Sequence, residues 1–330
     1  MKCIHFVLAL MSIAAISCNG GSAKTQVMKE RHTVSQAKFC ADSAYNYVKS
    51  QVDFGPRIPG SDGHKSCKEY IVNQLARFGA DTIIEQNLTA TNYLGTDMPL
   101  TNIMGRYNPE SDDRILLIAH WDTRPWADAD KDVNKRMLPV PGANDGASGV
   151  GVLLELARMF NEKAPEVGVD LLFVDGEDSG NSSGWGSSEE TWCLGTQYWV
   201  KHMPYTPESM PRYGILLDMV GGVDARFYRE YLSQGFAERI NDKVWSHASA
   251  AGFDKFFLNE VRGGITDDHI FINRAGIPCI DIIECSHPAT GSFSPVWHTV
   301  SDDMNHIDRA TLNAVGQTVA NTVYSEKSSK

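Results

Sequence analysis

The 330-residue chain lacks most of the short signatures that give a function away. It contains no Cys-x-x-Cys pair and no His-Glu-x-x-His, so no zinc site is written into a single local stretch. No run is rich in Lys or Arg, and the net charge is −11. Nucleic-acid binding depends on neutralising phosphates, so the chain has no electrostatic case for it. Past residue 34 there is no internal repeat and no linker. The most apolar N-terminal stretch, Ile4 to Ile16, is shorter than the ~20 residues a helix needs to cross a bilayer.

The N-terminus is a separate object. A basic Lys2, the apolar stretch and the closing Ala15-Ile16-Ser17-Cys18 have the layout of a secretory signal peptide over residues 1–17. Small residues directly before a Cys resemble a bacterial lipobox, which would put a lipid on Cys18. Ala15 stands where Leu is commoner, and cleavage by an ordinary signal peptidase is the other route. The expectation is an exported cell-envelope lipoprotein, on the periplasmic side or the surface. Residues 18–34 are polar and rich in Gly, Ser and Lys and read as a tether. Of the remaining cysteines, Cys40, Cys67, Cys193, Cys279 and Cys285, at least one must stay unpaired, and most read as small buried hydrophobes.

What remains has ordinary globular composition, 42% hydrophobic and 22% charged. Residues 35–326 are expected to form one α/β domain. Ser35–Gln51 and Gly63–Phe78 read as helices, with the Gly/Pro-dense DFGPRIPGS between them as a fixed turn. Apolar runs then follow at Ile115–Ala119, Val150–Phe160, Val169–Val174, Ile215–Val220, Arg239–Ala251 and Pro278–Ile283. Strands of near-continuous apolar residues alternating with helical patterns predict three layers, α/β/α, around a twisted, mostly parallel mixed sheet. SGNSSGWGSSEET, Ser179–Thr191, cannot pack a core and reads as a loop.

Several predicted strands run straight into ionisable residues. ILLIA leads to His120-Trp121-Asp122, DLLFV to Asp175-Gly176-Glu177-Asp178, and GILL to Asp218. Ligands of open α/β sheets bind beyond the carboxyl ends of the strands, so these groups face one crevice. Each has a plainer reading. A strand-end Asp forms turns, Asp145 in PGANDGASG could cap the following helix, and Glu177-Asp178 could be a solvated pair. Asp218, after four apolar residues, is harder to dismiss, because a buried carboxylate needs a partner. Two adjacent carboxylates also raise one another's pKa, which suits general acid/base work. His120, Asp145, Asp178, Asp218 and His298 together offer the nitrogen and oxygen ligands that zinc accepts.

In order, HWD, GANDGASGVGVLLELAR, FVDGED, ILLDMVGG and WHTVSDD resemble the zinc aminopeptidase clan. TDDHIFINRAGIP, Thr266–Pro278, and Trp297-His298-Thr299 are more similar to its glutaminyl cyclase branch, and the likeness spans nearly all of the mature chain. That resemblance implies one zinc on Asp145, Asp178 and His298, and Glu177 as acid/base. It implies a relay through Asp218 and Asp267, and a pocket walled by Trp297, Phe293 and Trp185, with Trp192 the other candidate for the last wall. The implied substrate is a peptide or exported protein beginning with Gln, closed to pyroglutamate with loss of ammonia. A monomer is expected. Three positions depart from the animal pattern: Asp178 replaces Glu, Ala119 replaces Cys, and Asp281 replaces His. The rival reading is a two-zinc aminopeptidase in which Asp145 bridges and His120 and Asp218 hold the second metal. Trp297 itself could be core packing or pocket wall. A non-catalytic binding domain on the same fold would usually have lost the base or some ligands, and this chain keeps them all.

Overall fold

The computed structural model describes residues 38–182 and 188–328. The expected leader and tether, Cys18 with its expected lipid, the expected start of the first helix at residues 35–37 and Trp185 lie outside those residues. Helices α1 (Ala41–Asp53) and α2 (Asp62–Arg77) come first, followed by strands β1 (Thr82–Thr91), β2 (Asp97–Tyr107) and β3 (Arg114–His120). Next are α3 (Ala147–Glu162), β4 (Gly168–Val174), α4 (Leu194–Trp199), β5 (Gly214–Asp218) and β6 (Phe227–Glu230). The chain closes with α5 (Tyr231–Ala250), β7 (Phe257–Arg262), α6 (Asp268–Arg274), β8 (Cys279–Ile283) and α7 (Arg309–Ser325). The first helix begins at Ala41, not Ser35, because Cys40 is extended and occupies the N-cap position.

The main sheet runs β1-β2-β4-β3-β5-β8. β4, β3, β5 and β8 are parallel neighbours, while the β1–β2 hairpin adds an antiparallel edge. This is the expected mixed, mostly parallel sheet. Period-two alternation sorts the core strands. Ile115, Leu117, Val169, Leu171, Ile215 and Ile280 pack on one side with Val48, Leu153, Val244 and Val315 of α1, α3, α5 and α7. Leu116, Ile118, Leu172 and Leu216 pack on the other side with Trp199 of α4 and Ile272 of α6. The strands are buried on both faces, so no polar alternation survives in β3, β4 or β5.

The β1–β2 hairpin has no strand pattern that stands out in the sequence. β1, TIIEQNLTAT, is a half-exposed edge with few apolar residues, and its turn is built by Asn92, whose side chain accepts the N–H groups of Leu94 and Thr96. The helix expected over Arg239–Ala251 starts earlier, at Tyr231, where the Glu230 carboxylate accepts the N–H groups of Leu232 and Ser233. No helix among the described residues is long and apolar enough to cross a membrane. The five cysteines in the described residues are free, and four of them are buried.

Candidate active site

The carboxyl ends of β3, β4 and β5 deliver His120, the Asp175–Asp178 turn and Asp218 to one crevice, as expected for this sheet class. Two loops complete it. The first, residues 141–146, leads into α3 and carries Asp145. It is held from below by Arg57, a fully buried residue of the DFGPRIPGS turn, which donates to Pro141 O and, at 2.5 Å, to Gly142 O. Its far side is held by Asp302, whose two oxygens accept the N–H groups of Asn144 and Asp145 at 2.8 and 3.0 Å. Burial pushes the Asp302 carboxyl up to about 7. Asp145 does not cap α3. The N-cap is Gly146, with φ 96°, where a Cβ would strike Asp122 O at 2.5 Å. The side chain of Asp145 is thereby left for the crevice.

The second loop brings His298, buried and at φ 53°. That left-handed backbone is uncommon for a residue with a side chain. Cys193 (φ 56°) and Met219 (φ 47°) share it at the same crevice, a clustering typical of functional sites.

One set of side chains comprises Asp145, Asp178 and His298, whose ligand-type atoms lie within 4.8 Å of one another. His298 Nε2 is 3.2 Å from Asp178 Oδ1 and 3.8 Å from Asp145 Oδ2. A tetrahedral zinc with bonds of about 2.0–2.1 Å holds its ligand atoms at roughly this spacing. Asp178 Oδ2 is buried with no hydrogen-bond partner, a costly state that a cation would relieve. The residues therefore fit zinc. Asp128 faces the other ring nitrogen, with its Oδ1 3.2 Å from His298 Nδ1, which directs Nε2 toward the ligand set. Buried Arg124 ties this arrangement together, donating to Asp128 at 2.8 and 2.6 Å and to Asp178 Oδ1 at 3.1 Å. Burial opposes the charged form of Asp128, but His298 and Arg124 outweigh it and hold its carboxyl well below the usual range.

A second set forms around His120, whose Nε2 lies 3.1 Å from both Asp145 Oδ1 and Asp218 Oδ1. Asp122, two residues along, sits 3.5 Å from His120 Nδ1. It also accepts the backbone N–H groups of Glu177 and Asp178 at 3.1 and 3.2 Å. Asp122 is thus the post on which the Glu177-Asp178 turn is hung. Burial works against a charged His120, but Asp122, Asp145 and Asp218 prevail and raise it well above the usual histidine range.

Glu177 lies beside the Asp145–Asp178–His298 set, with its Oε1 3.8 Å from Cys193 Sγ and its Oε2 3.9 Å from His120 Nδ1. Burial pushes its carboxyl well up, and Asp178, Asp267 and Asp268 add to the shift. Asp267 caps α6 through the N–H of Asp268 at 2.6 Å, and burial and Asp218 raise it well above the usual range. Between these groups and the surface lies a cavity of about 290 Å³, whose lining includes Glu177, Asp218, Asp267, Trp192, Phe293 and Trp297. Trp297 stacks on His298 with ring centroids 3.6 Å apart and touches Phe293 at 4.6 Å. Trp192 also lines the cavity, parallel to the His298 ring at 6.4 Å between centroids and held under Arg124 at 5.1 Å.

The structure thus gathers every described residue that the sequence nominated. Sequence reasoning missed Asp122 as the support of the turn, together with Arg124, Asp128 and Asp302. The first three sit in HWDTRPWAD, close behind the strand, where an Arg and an Asp four residues apart match no site motif.

Residues 102–323 match the model of peptidase family M28. The chain belongs to that family. A structure of Bacteroides thetaiotaomicron glutaminyl cyclase bound to N-acetylhistamine is 52% identical, with a TM-score of 0.84, covering 88% of this chain and 99% of that one. A leucine aminopeptidase precursor from Bacteroides thetaiotaomicron is 50% identical, TM-score 0.84, over 89% and 100%. A Zn-dependent exopeptidase from Parabacteroides distasonis is 46% identical, TM-score 0.83, over 88% and 99%. Within the family, the place of the chain is among the bacterial glutaminyl cyclases, and its cofactor is zinc.

Proposed function

We propose that this chain converts the N-terminal glutamine of peptides and proteins to pyroglutamate, with Asp145, Asp178 and His298 holding one zinc. The observation that carries the reading is the cavity, where a buried Glu177 stands beside the ligand set under three aromatic walls. Zinc bound there supplies a Lewis acid for the γ-carboxamide. The α-amine attacks the carboxamide carbon of the same residue, forming the lactam C–N bond. The C–NH₂ bond breaks, and ammonia leaves. Glu177 takes the proton released by the amine and returns it to the departing nitrogen. Asp218 and Asp267 share the buried charge behind it as a relay. Trp192, Phe293 and Trp297 hold the side chain folded and keep water out, so nucleophile and electrophile already in one molecule are simply positioned.

A specific observation favours a second reading. His120, Asp145 and Asp218 also present ligand atoms within 4.8 Å, the arrangement a second zinc of an aminopeptidase would need. An assay offering Gln-initiated and Leu-initiated peptides, with the products identified, separates the two reactions. For the location we propose export and anchoring to the bacterial envelope through a lipid on Cys18, with a monomeric catalytic part. The support is the leader-like sequence of residues 1–18. The mass of the mature N-terminus tests it.

A further inference from the structure

A second concavity runs along α5. It is a groove of about 440 Å³ lined by Tyr231, Leu232, Gln234, Phe236, Glu238 and Val261. Tyr231, Phe236 and Val261 are 63%, 48% and 48% exposed, large apolar side chains left in water within one patch. The groove straddles a break in the helix, where Ala237 leaves helical geometry at φ −142°, ψ 44°.

This groove adjoins one wall of the active-site cavity through Tyr231 and Gly264. The Glu230 carboxylate that caps α5 also accepts the N–H of Ile265 at 3.0 Å, and Ile265 and Gly264 line the cavity. Tyr231 stands beside Gly264, where an added Cβ would meet its ring at 3.9 Å. Val261 lies three positions before Gly264, a span of at most about 10–11 Å of chain. A peptide whose first residue fills the cavity therefore reaches the groove within a few extended residues.

We propose that the groove binds the part of the substrate that follows its N-terminal glutamine, at about the third to fifth residues, and favours apolar side chains there. The proposal rests on the cyclase reading. Among the described residues that line the groove, Glu238 is the charged one, so acidic residues at those positions are disfavoured. The occupant is the substrate's own continuation.

The test is kcat/KM of the full chain on three amidated peptides: Gln-Gly-Ala, the same sequence extended by Leu-Leu, and the same extended by Glu-Glu. The expected result is a KM about tenfold lower for the Leu-Leu peptide than for the tripeptide, the scale of burying one apolar side chain. The Glu-Glu peptide should show no gain. Phe236→Ser should abolish the Leu-Leu advantage while leaving the tripeptide rate unchanged. Equal KM for all three peptides, or equal loss on all of them in Phe236→Ser, would overturn the proposal. So would a wild-type dimer that Phe236→Ser dissociates, because a second copy would then cover the patch. Absence of ammonia release from the tripeptide would instead overturn the cyclase reading, and this proposal with it.

Discussion

Asp128 Oδ1 sits 3.2 Å from His298 Nδ1, on the side of the ring opposite the Asp178 carboxylate. The carboxylate orients the imidazole and makes it a better ligand. Asp128→Asn is therefore expected to weaken zinc affinity about 10- to 100-fold without unfolding the chain. Competition with a chelator measures this, and unchanged affinity would remove Asp128 from the site's support.

Glu177 lines the cavity beside the ligand set, with its Oε2 3.9 Å from His120 Nδ1. Glu177→Gln should keep zinc and lose roughly 10²- to 10⁴-fold in kcat. Metal content and turnover on the same preparation decide the matter. A wild-type rate in that variant would rule Glu177 out as the base.

Trp297 separates packing from function. It is half-buried, stacked on His298 at 3.6 Å, and lines the cavity. Its partners Phe293 and Ile283 form a small apolar cluster apart from the two main cores. Trp297→Ala should raise KM for Gln-peptides about tenfold, the scale of one lost apolar contact surface, and move the melting temperature little. A large drop in melting temperature with unchanged KM would mark it as core.

Glu284 follows β8, fully buried, with neither oxygen hydrogen-bonded. Burial pushes its carboxyl from 4.5 up to about 8. Between those values the folded chain holds a proton that the unfolded chain has lost. Its contribution to stability is therefore present at low pH and falls as pH rises toward 8. Glu284→Gln, neutral throughout, should melt close to wild type at pH 5 and above it at pH 8. A difference that does not change with pH would contradict the assignment.

The legible parts of the molecule were those where one pattern served one purpose. β3, β4 and β5 are buried on both faces, so their apolar runs stood out, and each ended on an ionisable residue that could not be core. The edge strand β1 and the capped start of α5 were not legible, because half-exposed alternation and a Glu230 cap look like loop in sequence. In the Ser-rich loop and its flank the sequence offers both Trp185 and Trp192 as the last wall. Trp192 lines the cavity, and Trp185 lies outside the described residues. Arg124, Asp128 and Asp302 were invisible for a different reason. Their roles depend on which backbone groups and rings the fold brings to them, Asp302 reaching residues 144 and 145 across the molecule.

The most direct test of the central claim is an assay of ammonia and amino-acid release, run beside zinc analysis of the same purified protein. The account predicts ammonia and pyroglutamyl peptide from Gln-initiated substrates, no release of Leu from Leu-initiated ones, and full activity with one zinc per chain. Ready release of Leu, with activity that requires two zinc ions on the Asp145–Asp178–His298 and His120–Asp145–Asp218 sets, would contradict it.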